Sequence, residues 1–260
     1  MEKAFTYMFK DNMIKQKMLS YFLLIFIINS CFMFGAYYMT LIKANPSLIT
    51  YSFGFILAGL ILALPAAGYY MSCVKSIMTQ QDNIILPTIH LGKNFLFGIK
   101  YFLTILLFSV SFVIVYALIA VAMILLSKLL QLPLLTGLIS IILILLMLIF
   151  LIFVGVISPV LIAIFAKTEY FTSLFRYPLA LKLIKNNPEN YFVAFLLYFA
   201  VSIVTGVINS FLNIFIVNKV LLLVGVLLIS AIASYSIFIT AYLVAKSVDS
   251  NLIEIKTKEL

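Results

Sequence analysis

The sequence predicts an all-α polytopic membrane protein, a bundle of six transmembrane helices arranged as three similar hairpins. Three observations carry that expectation. Hydrophobic residues make up 65% of the 260 and charged residues only 10%, whereas soluble domains are close to half apolar and a quarter charged; the mean hydropathy is +1.25. The apolar residues gather into uncharged runs, each longer than the roughly 20 residues that carry a helix across about 30 Å of hydrocarbon. Finally, all but three of the 17 basic residues lie on one set of alternate connections, the asymmetry that orients a membrane protein.

The runs cover residues 19–42, 51–74, 101–127, 136–166, 191–218 and 220–245. Hydrocarbon offers no water to backbone N–H and C=O groups, so such continuous runs must satisfy themselves as helices; barrel strands would alternate polar and apolar residues. The first run follows several lysines and reads as a retained signal anchor, too long for a cleaved apolar region. The fourth, as a straight helix, would measure about 46 Å, well beyond the hydrocarbon, and a break is expected at Gly155 with Pro159. Pro65 occupies a comparable place in the second run. Lys43, Lys128 and Lys219 are the basic residues of the sparse side, one per connection, which places both chain ends in the cytoplasm. The excess of Lys over Arg and the lack of Trp fit a prokaryotic inner membrane.

A short motif opens alternate runs. It reads Tyr21-Phe22-Leu23-Leu24, then Tyr101-Phe102-Leu103-Thr104, then Tyr191-Phe192-Val193-Ala194. The returning runs leave through Cys73-Val74-Lys75, Phe165-Ala166-Lys167 and Val244-Ala245-Lys246. The chain is thus expected to be a single membrane domain, 1–260, made of pseudo-repeat units near 1–79, 80–170 and 171–250, with a short cytoplasmic tail at 251–260. Each unit is preceded by a segment too polar to cross and too apolar to be a free loop, near residues 4–18, 84–100 and 171–186. These are expected to be cytoplasmic interfacial amphipathic helices. Asn187-Pro188-Glu189 supplies a cap, a proline for the first turn and a carboxylate at the positive end of the dipole, so a new helix should start there.

Three stretches together resemble the prokaryotic membrane proteins grouped as DUF4013, a domain of unknown function: AFTYMFKDNMIKQKMLSYFLL from Ala4, GYYMSCVKSIMTQQDNIILPTIHLGKNFLFGIK from Gly68, and LIKNNPENYFVAFLL from Leu183. The resemblance implies a multi-span helical protein and carries no functional residues across. Where that family tends to place acidic and aromatic residues after Leu-Pro, this chain has Thr88, Ile89 and His90.

No catalytic, metal or cofactor constellation stands out. The runs contain no charged residue to serve as acid, base or ligand, and His90 has no Cys or carboxylate at ligand spacing. The glycines form no phosphate loop or nucleophile elbow. No enzyme activity and no cofactor are expected. Polarity within the runs concentrates on Ser202, Thr205, Asn209 and Asn213, whose spacing of 3, 4 and 4 puts them on one helical face. Such a face either bonds neighbouring helices or lines a polar path. A net charge of +9 is accounted for by topology and by anionic lipid headgroups at the cytoplasmic face, and no nucleic-acid partner is expected. Three functions fit: a transport-associated or lipid-interacting bundle, the permease subunit of an ATP-driven exporter with a cytoplasmic ATPase or another membrane subunit as partner, and a non-catalytic structural or assembly protein.

Overall fold

The first helix takes its inward face from residues that recur every three to four positions: Ile14, Lys17, Tyr21, Leu24, Ile25 and Ile28 are buried, the period of a helical stripe. In the computed structural model, which describes residues 11, 13–42, 45–80, 84–129, 133–212 and 219–248, every regular element among them is helical. α1 is Ile14–Leu41, α2 is Leu48–Thr79, α3 is Leu91–Leu129 and α4 is Pro133–Thr168. A 3-10 helix, Phe171–Phe175, leads to α5, Tyr177–Asn186; α6 is Pro188–Leu212 and α7 is Lys219–Lys246.

Five stretches are long and apolar enough to cross a membrane: α1, α2, Leu91–Leu125 of α3, Ile141–Thr168 of α4 and Leu223–Lys246 of α7. α6 contributes the shorter apolar stretch Tyr191–Val204; the rest of the run expected there, from residue 213, lies outside the described residues. The helix start expected at Asn187-Pro188-Glu189 is where α6 begins, with Glu189 in its first turn. α4 continues through Gly155 and Pro159, and α2 through Pro65. The break expected in α4 is therefore not a break. A proline removes one hydrogen bond and crowds the preceding turn, and neighbouring helices at these buried positions hold the chain in helical form.

The segments preceding the hairpins differ from one another. Residues 4–10 lie outside the described residues, and from Ile14 onward the first segment is already α1. The second is an extended strap over residues 84–90, after which α3 runs from Leu91 into its span without interruption. The third is the 3-10 helix and α5, which buries Ala180 and Leu183 and leaves Lys182 and Lys185 exposed.

Hydrogen bonds explain the strap. Extended backbone must find partners outside itself, and three successive carbonyls do: Ile85 O accepts from Ser76 Oγ, Leu86 O from Lys17 Nζ, and Pro87 O from Tyr69 Oη. The Leu86 N–H donates to Asp11 Oδ2 at 3.0 Å, and Lys17 Nζ closes on the same oxygen at 2.7 Å. Burial alone would raise the Asp11 pKa. The Lys17 ammonium and the N–H groups of Met13 and Leu86 outweigh it, holding that carboxyl below its ordinary 3.8.

Packing is uneven along the bundle. Cys73 and Val74, Phe165 and Ala166, and Val244 and Ala245 are all buried, each pair directly before its lysine. Tyr21, Tyr69 and Phe238 join α1, α2 and α7 there, with ring centroids 5.0 to 6.3 Å apart. Phe165 packs on Phe97 and Tyr101 of α3. At the opposite end, Val113, Leu118 and Leu125 of α3 and Ile144, Ile149 and Ile152 of α4 are exposed. Lipid tails are as apolar as these side chains, so nothing drives them together.

α2 and α3 cross at backbone contact. A Cβ on Gly68 would overlap the Asn94 carbonyl, and one on Gly98 would overlap that of Leu64. At the end of α4, Glu169 takes a positive φ of 57°, a conformation that favours glycine at this position. Its carboxylate bridges Lys75 at 2.6 Å and Lys100 at 3.4 Å, joining α2, α3 and α4. Burial would raise its pKa, but the two ammonium groups outweigh that and hold it below its ordinary 4.5. Since these groups are well exposed, solvent keeps the clasp to under about 1 kcal/mol.

Candidate functional site

A concavity opens among the helices beside the tight lysine-side packing. It measures about 570 Å³ and takes its lining from α1, α2, α3, α4, α6 and α7. Its floor is small and apolar, with Ala63, Ala66 and Ala67 of α2 facing Ile25, Ile28 and Ile162. Hydroxyl groups supply the polarity: Tyr21, Tyr70, Tyr101 and Tyr198 line it, with Ser202, Ser236 and Thr240. No Asp, Glu, Lys, Arg or His lines it among the described residues.

The hydroxyls divide into two sorts. Ser202 donates to the Tyr198 carbonyl at 2.8 Å, Ser236 to Ala233 at 3.0 Å and Thr240 to Ile237 at 3.0 Å. A hydroxyl has one proton, so these three offer the cavity acceptor lone pairs only. The Tyr21 hydroxyl is fully enclosed and finds no partner among the described residues. An unpaired buried phenol costs about 1 to 3 kcal/mol.

Of the residues singled out in the sequence, Ser202 lines this cavity. Thr205 and Asn209 belong to the α6 backbone, but their side chains, and all of Asn213, lie outside the described residues. Gly155 stands in open space, while Pro65 and Pro159 pack among neighbours on α2 and α4, outside the cavity lining. The four tyrosines were not singled out as a site. Two of them open the recurring motif, and inward orientation at that motif is the signal that could have found them: Tyr21 is enclosed and Tyr101 packs on the core, while Phe102 is exposed.

A second concavity, a groove of about 580 Å³ between α3 and α4, is lined almost wholly by aromatic and aliphatic side chains. Its size matches the first, but it is lined by three hydroxyl-bearing side chains, Ser111, Tyr116 and Tyr177, against seven in the central cavity, and convergent polar groups are what distinguish a binding site from bare apolar surface.

Long apolar helices gathered around a hydroxyl-bearing concavity define a helical membrane protein of the multi-pass class. Residues 51–214 match the family described as "Protein of unknown function (DUF4013)", more than half of the chain, and the chain belongs to that family. Two of the three resembling stretches fall within the match, and the one from Ala4 precedes it. No curated protein and no solved structure matches the chain.

Proposed function

We propose that this protein is a lipid-interacting, transport-associated bundle whose working site is the central cavity, and that the cavity holds an uncharged amphiphile by its polar head. The observation that carries this reading is the pairing of phenol donors with serine and threonine acceptors around an otherwise apolar space. A charged ligand would enter with no countercharge and bear its full desolvation cost. Nothing in the lining suits general acid-base chemistry near neutral pH, which supports a binding rather than a catalytic role. In this reading α6 is a sixth span, the hairpins are three related units, and both termini face the cytoplasm of a prokaryotic cell. The shared burial pattern before Lys75, Lys167 and Lys246 supports the repeat.

Retention of monoacylglycerol, diacylglycerol and fatty alcohol by the purified protein tests the proposal. Neutral amphiphiles should be retained and should raise thermal stability. Tyr70→Phe should weaken retention roughly five- to tenfold, as expected for one lost hydrogen bond of about 1 kcal/mol or slightly more. Ala67→Phe, which fills the space, should abolish it. Equal retention by all three proteins would show that the cavity is not the site.

A further inference from the structure

The sequence has a single arginine among many lysines, and its position is unusual. After α4 ends, the chain passes Glu169, which binds Lys75 and Lys100, and then packs farther along the spans. The Phe175 ring lies 5.8 Å from that of Phe108, and the Tyr177 ring lies 6.2 Å from Phe108 and 6.1 Å from Phe153. Phe108 is about 12 Å beyond Lys100 along α3, and Phe153 about 21 Å from Lys167 along α4, at helical rise. The 3-10 helix therefore climbs beside the two spans, and Arg176 occupies the turn into α5.

Arg176 Nη1 and Ser173 Oγ are both enclosed and without a hydrogen-bond partner among the described residues; Ser173 is 0% exposed. The two are joined through the backbone, where the Arg176 N–H donates to the Ser173 carbonyl at 3.2 Å. The ion pairs among the described residues use other cations. A guanidinium cannot lose its proton, so its charge among apolar neighbours calls for an anion, and its planar fork suits phosphate. Phe175 and Tyr177, on either side of Arg176, line the apolar groove between α3 and α4. From Phe108 to Ile119 that groove follows about 17 Å of α3, close to one leaflet of a bilayer with about 30 Å of hydrocarbon.

We propose that this is a binding site for an anionic phospholipid, with the Arg176 guanidinium on the phosphate and one acyl chain in the groove. The site shares no lining residue with the central cavity, and its failure would leave that reading standing.

Native mass spectrometry of the full chain in detergent with equal phosphatidylglycerol and phosphatidylcholine tests it. The unaltered protein should retain phosphatidylglycerol about tenfold over phosphatidylcholine. Arg176→Gln should bring the ratio near one, and replacing exposed Lys182 and Lys185 together by Gln should leave it unchanged. No preference in the unaltered protein, or an equal loss from the lysine pair, would overturn the proposal. Displacement by inorganic phosphate or glycerol phosphate would overturn the lipid assignment, and resistance to both supports it. Should Arg176→Gln misfold, the unaltered protein still decides: phosphatidylglycerol carrying a mid-chain diazirine should label residues 108–119 and 143–153. Labelling spread evenly over the exposed faces of α1, α2 and α7 would defeat it.

Discussion

Gly68 and Gly98 set the distance between α2 and α3, because each places its α-carbon against a carbonyl of the other helix. Backbone cannot yield as a side-chain tip can, so Gly68→Ala or Gly98→Ala should force the helices apart and cost about 3 kcal/mol, at or above the usual range for overpacking. Gly54→Ala and Gly155→Ala, which meet open space, should fall within about 0.5 kcal/mol of the parent. Thermal unfolding followed by size-exclusion chromatography separates the two groups, and equal tolerance at all four would refute the close crossing. At this scale the sequence was partly legible. Glycines in an apolar run permit close helix contact; it occurs at Gly68 and at Gly59, where a Cβ would meet Phe32 and Cys31, while Gly54 faces open space. A glycine in an apolar run shows that a contact is permitted, not that a neighbour takes it.

Among the elements, the strap over residues 84–90 depends on a buried ion pair at the start of α1. Asp11→Asn would leave Lys17 buried without its countercharge, a loss of about 3 to 5 kcal/mol; Asp11→Asn combined with Lys17→Met should cost less than Asp11→Asn alone. Because Asp11 titrates below its ordinary value, its contribution is complete above about pH 4 and is lost as pH falls through its folded value. Hydrogen exchange at the Leu86 amide, which Asp11 accepts, should accelerate below pH 4 beyond the trend of α2 amides, and matching rates would exclude the linkage. The long helices were legible because an uncharged run of that length has few other forms in lipid. The strap was not: residues 84–100 show a helical spacing of Leu91, Phe95 and Ile99, and side chains distant in sequence decide that the first seven residues stay extended. Asp11 and Lys17 also lie at a spacing with no helical meaning, since Asp11 precedes the helix.

For the molecule as a whole, the basic residues crowd the end where packing is tightest. Reporter fusions at the two termini should give the same compartment, and opposite results would mean an odd number of spans and would remove α6 from their number. The hydroxyl-lined cavity was only partly foreshadowed, through Ser202, because tyrosines at the ends of apolar runs are common at any membrane interface and only packing shows which turn inward. The unequal packing also has a mechanical meaning. The α1–α2 hairpin is clasped at both ends, by the knot of Tyr21, Tyr69 and Phe238 and by Ser52, which donates to the Gly35 carbonyl at 2.7 Å, so lateral pressure in the bilayer should move the far halves of α3 and α4 before it moves α1 and α2.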